Sequence, residues 1–314
     1  MKLVLLSDLH LLWQNPVARL DNLVEVQFSK LLYPLDWCRN NDAILLQAGD
    51  FNDRPRSWAG LPQIITFLKG YGVKIYCVAG QHDYYMYSEE SRLSTTLGIL
   101  NEIELVKILN ENPVYIDYYN NKKNHISLYG CSFGEKIPEI RDRGDFNIFV
   151  IHAPIAENPL FPNQNYMDAK KFLKENKDYN LILCGDIHRE FCIEVNGRYI
   201  INTGCMLRKT ADEYNFQHKP CFYSFDTDTK EIEKHIIPHK PAEEILSRSH
   251  IENKVETDFV LDEFVKNIQD VKEFSGVNIV ENLFEFIKEH GIPKDIQNII
   301  TCIVNSTEGK RECG

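Results

Sequence analysis

Short apolar runs recur along the first two thirds of the chain, each closing in a polar cluster: KLVLLS before Asp8, AILLQA before Gly49, VKIYCVA before Gly80, FNIFVI before His152, NLILC before Gly185 and RYIINT before Gly204. Such runs are rich in Val, Ile and Leu and lack polar alternation, which predicts strands buried on both faces. QIITFLK at 63–69 and DAKKFLKEN at 168–176 carry helical spacing between them. Strands alternating with helices predict a layered α/β fold. After Pro241 the texture changes. Leu261, Phe264, Val265, Ile268, then Val280, Leu283, Phe284, Ile287, then Ile296, Ile299, Ile300, Ile303 repeat the i, i+3, i+4, i+7 spacing of amphipathic helices, with Gly291 and Pro293 separating the last two. The pattern divides the chain into a region 1–240 and a helical segment 241–314.

In open α/β sheets ligands bind beyond the carboxyl ends of strands. Ionisable residues gather at those ends: SDLH at 7–10, GDFND at 49–53, GQHD at 80–83, IHAP at 151–154 and GDIH at 185–188. One Asp-x-His pair means little, but five such clusters in succession on strand ends are not chance. A pair of divalent cations needs a shared carboxylate, further oxygen ligands and imidazoles arriving from several directions. One cluster per strand supplies those directions. Gly49, Gly80 and Gly185 let the backbone turn closely beneath the ions.

Composition narrows the reading without changing it. Hydrophobic residues make up 43% and charged residues 26%, as in soluble globular proteins. A formal charge of -11 argues against nucleic-acid binding through one broad basic surface. It leaves phosphate chemistry open, because cations held by carboxylates reverse the local field. The nine cysteines form no CxxC pair and read as reduced structural thiols. No apolar stretch reaches the ~18 residues of a membrane span, and Asp8 and His10 interrupt the N-terminal apolar run, so a cytoplasmic location is expected.

The order D-x-H, G-D-x-x-D, G-x-H-D, H, G-x-x-H resembles the calcineurin-like metallophosphoesterases over about residues 1–240. That resemblance implies an α/β/β/α sandwich followed here by a helical segment. It also implies that Asp8, His10, Asp50 and His188 hold one metal, with Asp50 bridging to a second that His152 completes together with residues 81 and 186. The family has Asn where Gln81 stands and His where Asp186 stands. Gln81 offers the same amide oxygen on a longer stem. Asp186 either completes the second site with a carboxylate or orients His188 or His152 from behind. As a ligand it makes the site harder, favouring Mn²⁺ or Mg²⁺ over Zn²⁺. The resemblance gives His82 the role of general acid or transition-state stabiliser, with Asp83 fixing its tautomer. The cations lower the pKa of coordinated water to supply the attacking group. His125, His218, His235, His239, His250 and His290 lie outside these motifs and are expected at the surface.

A narrower resemblance, to the SbcD-type DNA repair nucleases, rests on GDFNDRP and on NTGCMLRKTADEYNFQHKPCFYSFD, with its glycine turn, Arg208, Glu213 and a return strand. Cys205 replaces their serine, and their extended capping domain is absent or reduced to the helical tail. The resemblance implies a two-metal exonuclease or endonuclease subunit acting on DNA beside an SbcC-type, SMC-like ATPase, with homodimerisation. The C-terminal helices then dock that partner, or they fold back over a sheet. Two other functions stay open: a stand-alone phosphodiesterase or phosphatase of small molecules or nucleotides, and a catalytically silent fold used as a binding module.

Overall fold

The computed structural model describes residues 1–249, apart from 86–87, 121, 141–143 and 162, and then 287–288, 293–294 and 296–301. The expected apolar runs form β1 (Lys2–Leu6), β2 (Ile44–Gln47), β3 (Ile75–Cys77), β7 (Phe146–Ala153), β10 (Leu181–Asp186) and β12 (Arg198–Asn202). They fall into two sheets. In the first, β1, β2, β3 and β4 (Lys107–Ile108) run parallel, and β13 (Cys221–Asp226) and β14 (Ile232–Ile236) add antiparallel strands beyond β1. In the second, β6 (Lys122–Cys131), β7, β10 and β12 run parallel, flanked by antiparallel β5 (Val114–Asn120) and β11 (Phe191–Val195). A short parallel pair, β8 (Ile155–Ala156) and β9 (Met167–Asp168), leads into the next helix.

Alternate residues of each buried run serve different cores, which is why the runs show no polar alternation. Leu3 and Leu5 of β1 pack with Ile148 and Val150 of β7 and Leu181 and Leu183 of β10, so this core lies between the sheets. Val4 and Leu6 turn outward to α1 (Leu23–Asn41), α2 (Leu61–Tyr71) and α3 (Thr96–Glu102), meeting Leu31, Leu35, Ile64 and Leu97. Phe149, Ile151 and Ile182 turn outward on the other side, against Ala169, Phe172 and Leu173 of α4 (Ala169–Glu175). The layers are therefore α/β/β/α. The expected helices are α2 and α4. Asp168 caps α4 by accepting from the Lys171 amide at 2.7 Å, and Gly72 closes α2 in the left-handed conformation.

The longest described helix, α1, was not among those the spacing predicts. Its inward face includes Gln27 and Lys30 beside the leucines, which blurs the apolar stripe. Gln27 holds the loop that follows His10, accepting from the Leu12 amide and donating to the Leu12 carbonyl, both at 2.9 Å.

The first compact unit extends to Ser247 rather than 240, and residues 248–314 form a second. The Ser247 amide donates to the Ala18 carbonyl at 2.9 Å, and the Leu20 amide to the Ile245 carbonyl at 3.0 Å. Ala242, Ile245 and Leu246, in and beside α6 (Ala242–Ile245), pack on Ala18 and Ala211. Of the three amphipathic segments, the first lies outside the described residues, as does most of the second; the third is helical at 296–301. A chain ending after Ser247 is expected to stay folded and turn over a small chromogenic diester. One ending at 240 is expected to melt several degrees lower, because burying Ile245 and Leu246 is worth roughly 1.5–3 kcal/mol each. Thermal melts and turnover of the two truncations check this; insolubility of the longer one would show that it needs residues 248–314.

Candidate metal centre

The strand ends of both sheets meet where the ionisable clusters lie. The Ser7 hydroxyl donates to the Cys184 carbonyl at 2.8 Å, joining the ends of β1 and β10. Gly49, at φ +88°, has no room for a side chain, since a Cβ there would fall 2.2 Å from His152 Nδ1. Three chemistry-bearing residues adopt the left-handed backbone that non-glycine residues rarely take: His10 (φ 49°), Asp50 (φ 50°) and Asp186 (φ 96°). Strain of this kind costs on the order of 1–3 kcal/mol per residue and persists where the surroundings enforce it. Here each turn aims a side chain at one small volume.

One face of that volume holds Asp8, His10, Asp50 and His188, whose donor atoms all lie within 4.8 Å of one another. Nε2 of His10 and Nε2 of His188 are 3.0 Å apart. The other face holds His152 and Gln81, with Nε2 of His152 2.7 Å from Gln81 Oε1. His152 presents its Nδ1 to the Ala48 carbonyl at 2.6 Å, which leaves Nε2 to face the amide oxygen of Gln81. Asp50 Oδ2 faces both sides, 3.5 Å from His10 Nε2 and 3.6 Å from His152 Nε2. Asp186 Oδ1 sits 4.0 Å from His152 Nε2 and accepts from Gln81 Nε2 at 2.9 Å. Its amide donates to Asp8 Oδ1 at 3.0 Å.

Three carboxylates and three imidazoles gathered around one small volume form a donor set that positive charge would satisfy. Among the described residues Asp8 Oδ2 and Asp50 Oδ2 are buried with no hydrogen-bond partner, a cost a folded protein does not carry without compensation. Divalent cations suit this donor set. Asp8, His10, Asp50 and His188 would hold one, and Asp50, Gln81, His152 and Asp186 a second.

The electrostatics carry the same strain. Burial, together with the charges of Asp8 and Asp83, pushes the Asp50 carboxyl up to about 8 against the pull of His152 and the His82 amide. Burial drives His10 down to about 3 and lowers His188. Burial would also lower His152, but Asp50, Asp8, the Ala48 carbonyl and Asp186 together raise it. Burial would raise Asp8, and His188, His152 and His10 more than offset this.

Asp83 has a different role from the one its motif implied. Its oxygens accept from the amides of Phe51, Asn52 and Gly80, each at 3.0 Å, and so tie the second motif to the third. The His82 ring is oriented instead by the Asp53 carbonyl, 2.9 Å from Nδ1. Three neighbours have no role in the motif pattern: Asp53, Lys209 and Cys205. Asp53 Oδ1 lies 3.5 Å from His10 Nδ1 and pairs with Lys209. Burial would raise the Asp53 carboxyl, yet His10 and Lys209 hold it well below the usual range. Cys205 lies within reach of His10 and His188. Burial pushes its thiol up to about 12, which keeps it protonated and a weak donor. His218 is buried rather than at the surface, because its Nε2 meets the Cys205 carbonyl at 2.7 Å behind the turn. His250 and His290 lie outside the described residues. The described cysteines are all free.

Asp186→Ala is expected to remove one of two bound cations, leaving Asp8, His10, Asp50 and His188 to keep the other. Asp186→His is expected to keep both and shift preference toward Zn²⁺, imidazole being the softer donor. Elemental analysis of purified protein decides this; two cations per chain in the alanine variant would make Asp186 a spectator that merely receives the Gln81 amide.

Residues 1–190 match the family described as calcineurin-like phosphoesterase. The chain belongs to that family. No curated protein matches it by sequence. Among solved structures it is similar to an archaeal phosphodiesterase, at 14% identity over 75% of this chain and 99% of that one, with a TM-score of 0.39. It is similar also to GAP50, the anchor in the inner membrane complex of Plasmodium, at 13% identity over 76% and 89%, with a TM-score of 0.42. A single mutant of Vps29 from Entamoeba histolytica matches at 12% identity over 76% and 100%, with a TM-score of 0.34. Nothing about this chain's substrate follows from these likenesses. No helix among the described residues is long and apolar enough to cross a membrane.

Proposed function

We infer that the chain is a two-metal phosphodiesterase that cleaves nucleotide phosphodiesters, with Mn²⁺ or Mg²⁺ as its cations. The observation that carries this is Asp50 Oδ2, unpartnered and placed between the two imidazole-bearing faces of the site. The cations would be held by Asp8, His10, Asp50 and His188 on one side and by Asp50, Gln81, His152 and Asp186 on the other. When bound, they supply Lewis acidity toward the phosphoryl oxygens and a lowered pKa for water. The oxygen-rich second donor set supports the harder ions.

The chain's own residues do the rest. With Nδ1–H donated to the Asp53 carbonyl, His82 in its imidazolium form would hold the second proton on Nε2 for the leaving oxygen. Lys209, anchored on Asp53, places a cation beside the reacting phosphate. A cavity of about 570 Å³ opens from Asp53 and Lys209 and is lined by Trp13, Arg54, Arg56 and Trp58. Indole faces next to guanidinium groups suit a nucleobase and its flanking phosphates. This favours nucleotide-containing diesters over other phosphoesters.

Action on DNA as a nuclease subunit beside an SbcC-type ATPase, in the cytoplasm and as a homodimer, extends this reading. Its support is the motif resemblance after Gly204 and that cavity. Arg208, quoted in the resemblance, turns away from the strand ends, and Lys209 stands there in its place. The presence of every donor at both faces weighs against a silent binding module.

The test is hydrolysis of bis-p-nitrophenyl phosphate, a cyclic nucleotide and linear DNA across a Mn²⁺, Mg²⁺ and Zn²⁺ series. Metal-dependent diester cleavage is expected, with nucleotide substrates preferred. Failure on all diesters, or a preference for monoesters, sinks the reading.

A further inference from the structure

Cys205 is 3% exposed and sits at the turn after Gly204, whose φ is +70°. Its backbone is pinned on both sides: its carbonyl meets His218 Nε2 at 2.7 Å, and the next amide, of Met206, donates to the Asp8 carbonyl at 3.0 Å. The S–H rests on the Leu207 carbonyl at 3.1 Å. So held, the sulfur lies with one nitrogen of His10 and one of His188 in a group whose donor atoms are all within 4.8 Å of one another.

This group and the first cation position share both imidazoles and differ in what completes them. On one side Asp8 and Asp50 bring carboxylates. Each has an oxygen buried without a hydrogen-bond partner among the described residues, so the volume they enclose is built for positive charge. On the other side Cys205 brings a sulfur. Carboxylate oxygens suit Mn²⁺ and Mg²⁺, whereas thiolate beside imidazole suits Zn²⁺, which is commonly held by three protein ligands with a fourth place open. Among the described residues no other cysteine joins a group of this kind.

We propose that His10, His188 and Cys205 form an alternative seat for a soft divalent ion such as Zn²⁺, overlapping the first cation position and excluding Mn²⁺ or Mg²⁺ from it. On binding, a sulfur-to-metal bond forms, the thiol proton passes to solvent, and the Leu207 carbonyl loses its donor. The lone pair of an imidazole nitrogen serves one ion at a time, so the two seats are filled in turn and not together. Asp50 then no longer bridges two ions, and Zn²⁺ acts as an inhibitor by displacement. What is displaced rests on the two-cation reading of the centre; the sulfur seat does not.

The full-length protein is loaded with Mn²⁺ and titrated with Zn²⁺, both metals being counted by elemental analysis and Mn²⁺ followed by electron paramagnetic resonance. One Zn²⁺ is expected to replace one Mn²⁺ per chain. Cys205→Ser is expected to hold two Mn²⁺ as before and to need about 10–100 times more Zn²⁺ for the exchange, the loss that follows removal of even an outer partner of a ligand. Co²⁺ offered to the metal-free chain reads the sulfur directly, through a near-ultraviolet sulfur-to-cobalt charge-transfer band expected in the wild type and absent from the variant. An unchanged Zn²⁺ requirement in Cys205→Ser overturns the proposal, as does Zn²⁺ that adds beside two Mn²⁺, or a wild type that carries Co²⁺ without the band. Should the variant not fold, crystals of Zn²⁺-loaded wild type decide: zinc bonded to Cys205 Sγ at about 2.3 Å upholds the seat, and zinc bound without the sulfur overturns it. A chain that shows the band yet never holds two Mn²⁺ keeps the sulfur seat and sinks the two-cation reading instead.

Discussion

Asp50→Asn is expected to lower diester turnover by about 10³–10⁴ while raising the melting temperature of the metal-free protein. The loss follows from position. Asp50 is the one carboxylate facing both His10 and His152, and Lewis-acid stabilisation worth several kcal/mol corresponds to that many decades. The gain follows from burial, since a carboxyl pushed up to about 8 is held in a place that disfavours its charge. Asp50 has a folded pKa above its unfolded value of 3.8, so its contribution is fully present below 3.8 and is lost as pH rises through about 8. His10, depressed from 6.5 to about 3, works the opposite way between those values and is spent above 6.5. The raised His152 adds to the loss above 6.5. The metal-free wild type should therefore lose stability above about pH 6.5, with Lys30, depressed from 10.5 to about 7 by burial, working against the fall above 7, and Asp50→Asn should flatten that fall. Melting curves across this range in a chelator, beside turnover and metal content, form the check. An unchanged metal content would remove Asp50 from its bridging role.

His82→Ala is expected to lower turnover by about 10²–10⁴, the usual range for a general acid, with metal content nearly unchanged. The His82 amide, which donates to Asp50 Oδ1 at 2.9 Å, survives the substitution, so the carboxylate stays where it is. What is lost is the ring that the Asp53 carbonyl orients. A diester with a strongly acidic leaving group needs less protonation, so the deficit should shrink on such substrates. Loss of metal from the variant would instead make His82 a ligand, for its donor atoms also lie within reach of His10 and Asp53. An equal deficit on all leaving groups would make it a binding group.

The strand ends were legible because they obey two local rules at once. A parallel strand buried on both faces must be continuously apolar, and a residue that meets a charged ligand must follow it directly; β1, β2, β3, β7 and β10 satisfy both. The antiparallel β5, β11 and β14 are not legible, because edge strands mix polar and apolar positions, whereas β13 is the return strand expected after Gly204. In β5 and β6, Tyr115, Asp117 and His125 face outward while Ile126 and Leu128 face the core. α1 escaped the pattern because buried Gln27 and Lys30 interrupt its stripe, Gln27 to hold the Leu12 backbone.

By itself, then, the sequence determined the class of fold, the positions of Asp8, His10, Asp50, His152 and His188 at strand ends, and the departures at Gln81 and Asp186. Those are properties of residue type and order along single strands. The tertiary structure decided the pairings: that Asp83 spends its oxygens on three amides while Asp53 takes over His82, and that Lys209 rather than Arg208 reaches the centre. Each of these joins residues far apart in the chain, or chooses between neighbours whose local patterns are alike. Hydrogen-bond satisfaction in a packed interior makes that choice, and no periodicity along a single strand or helix records it.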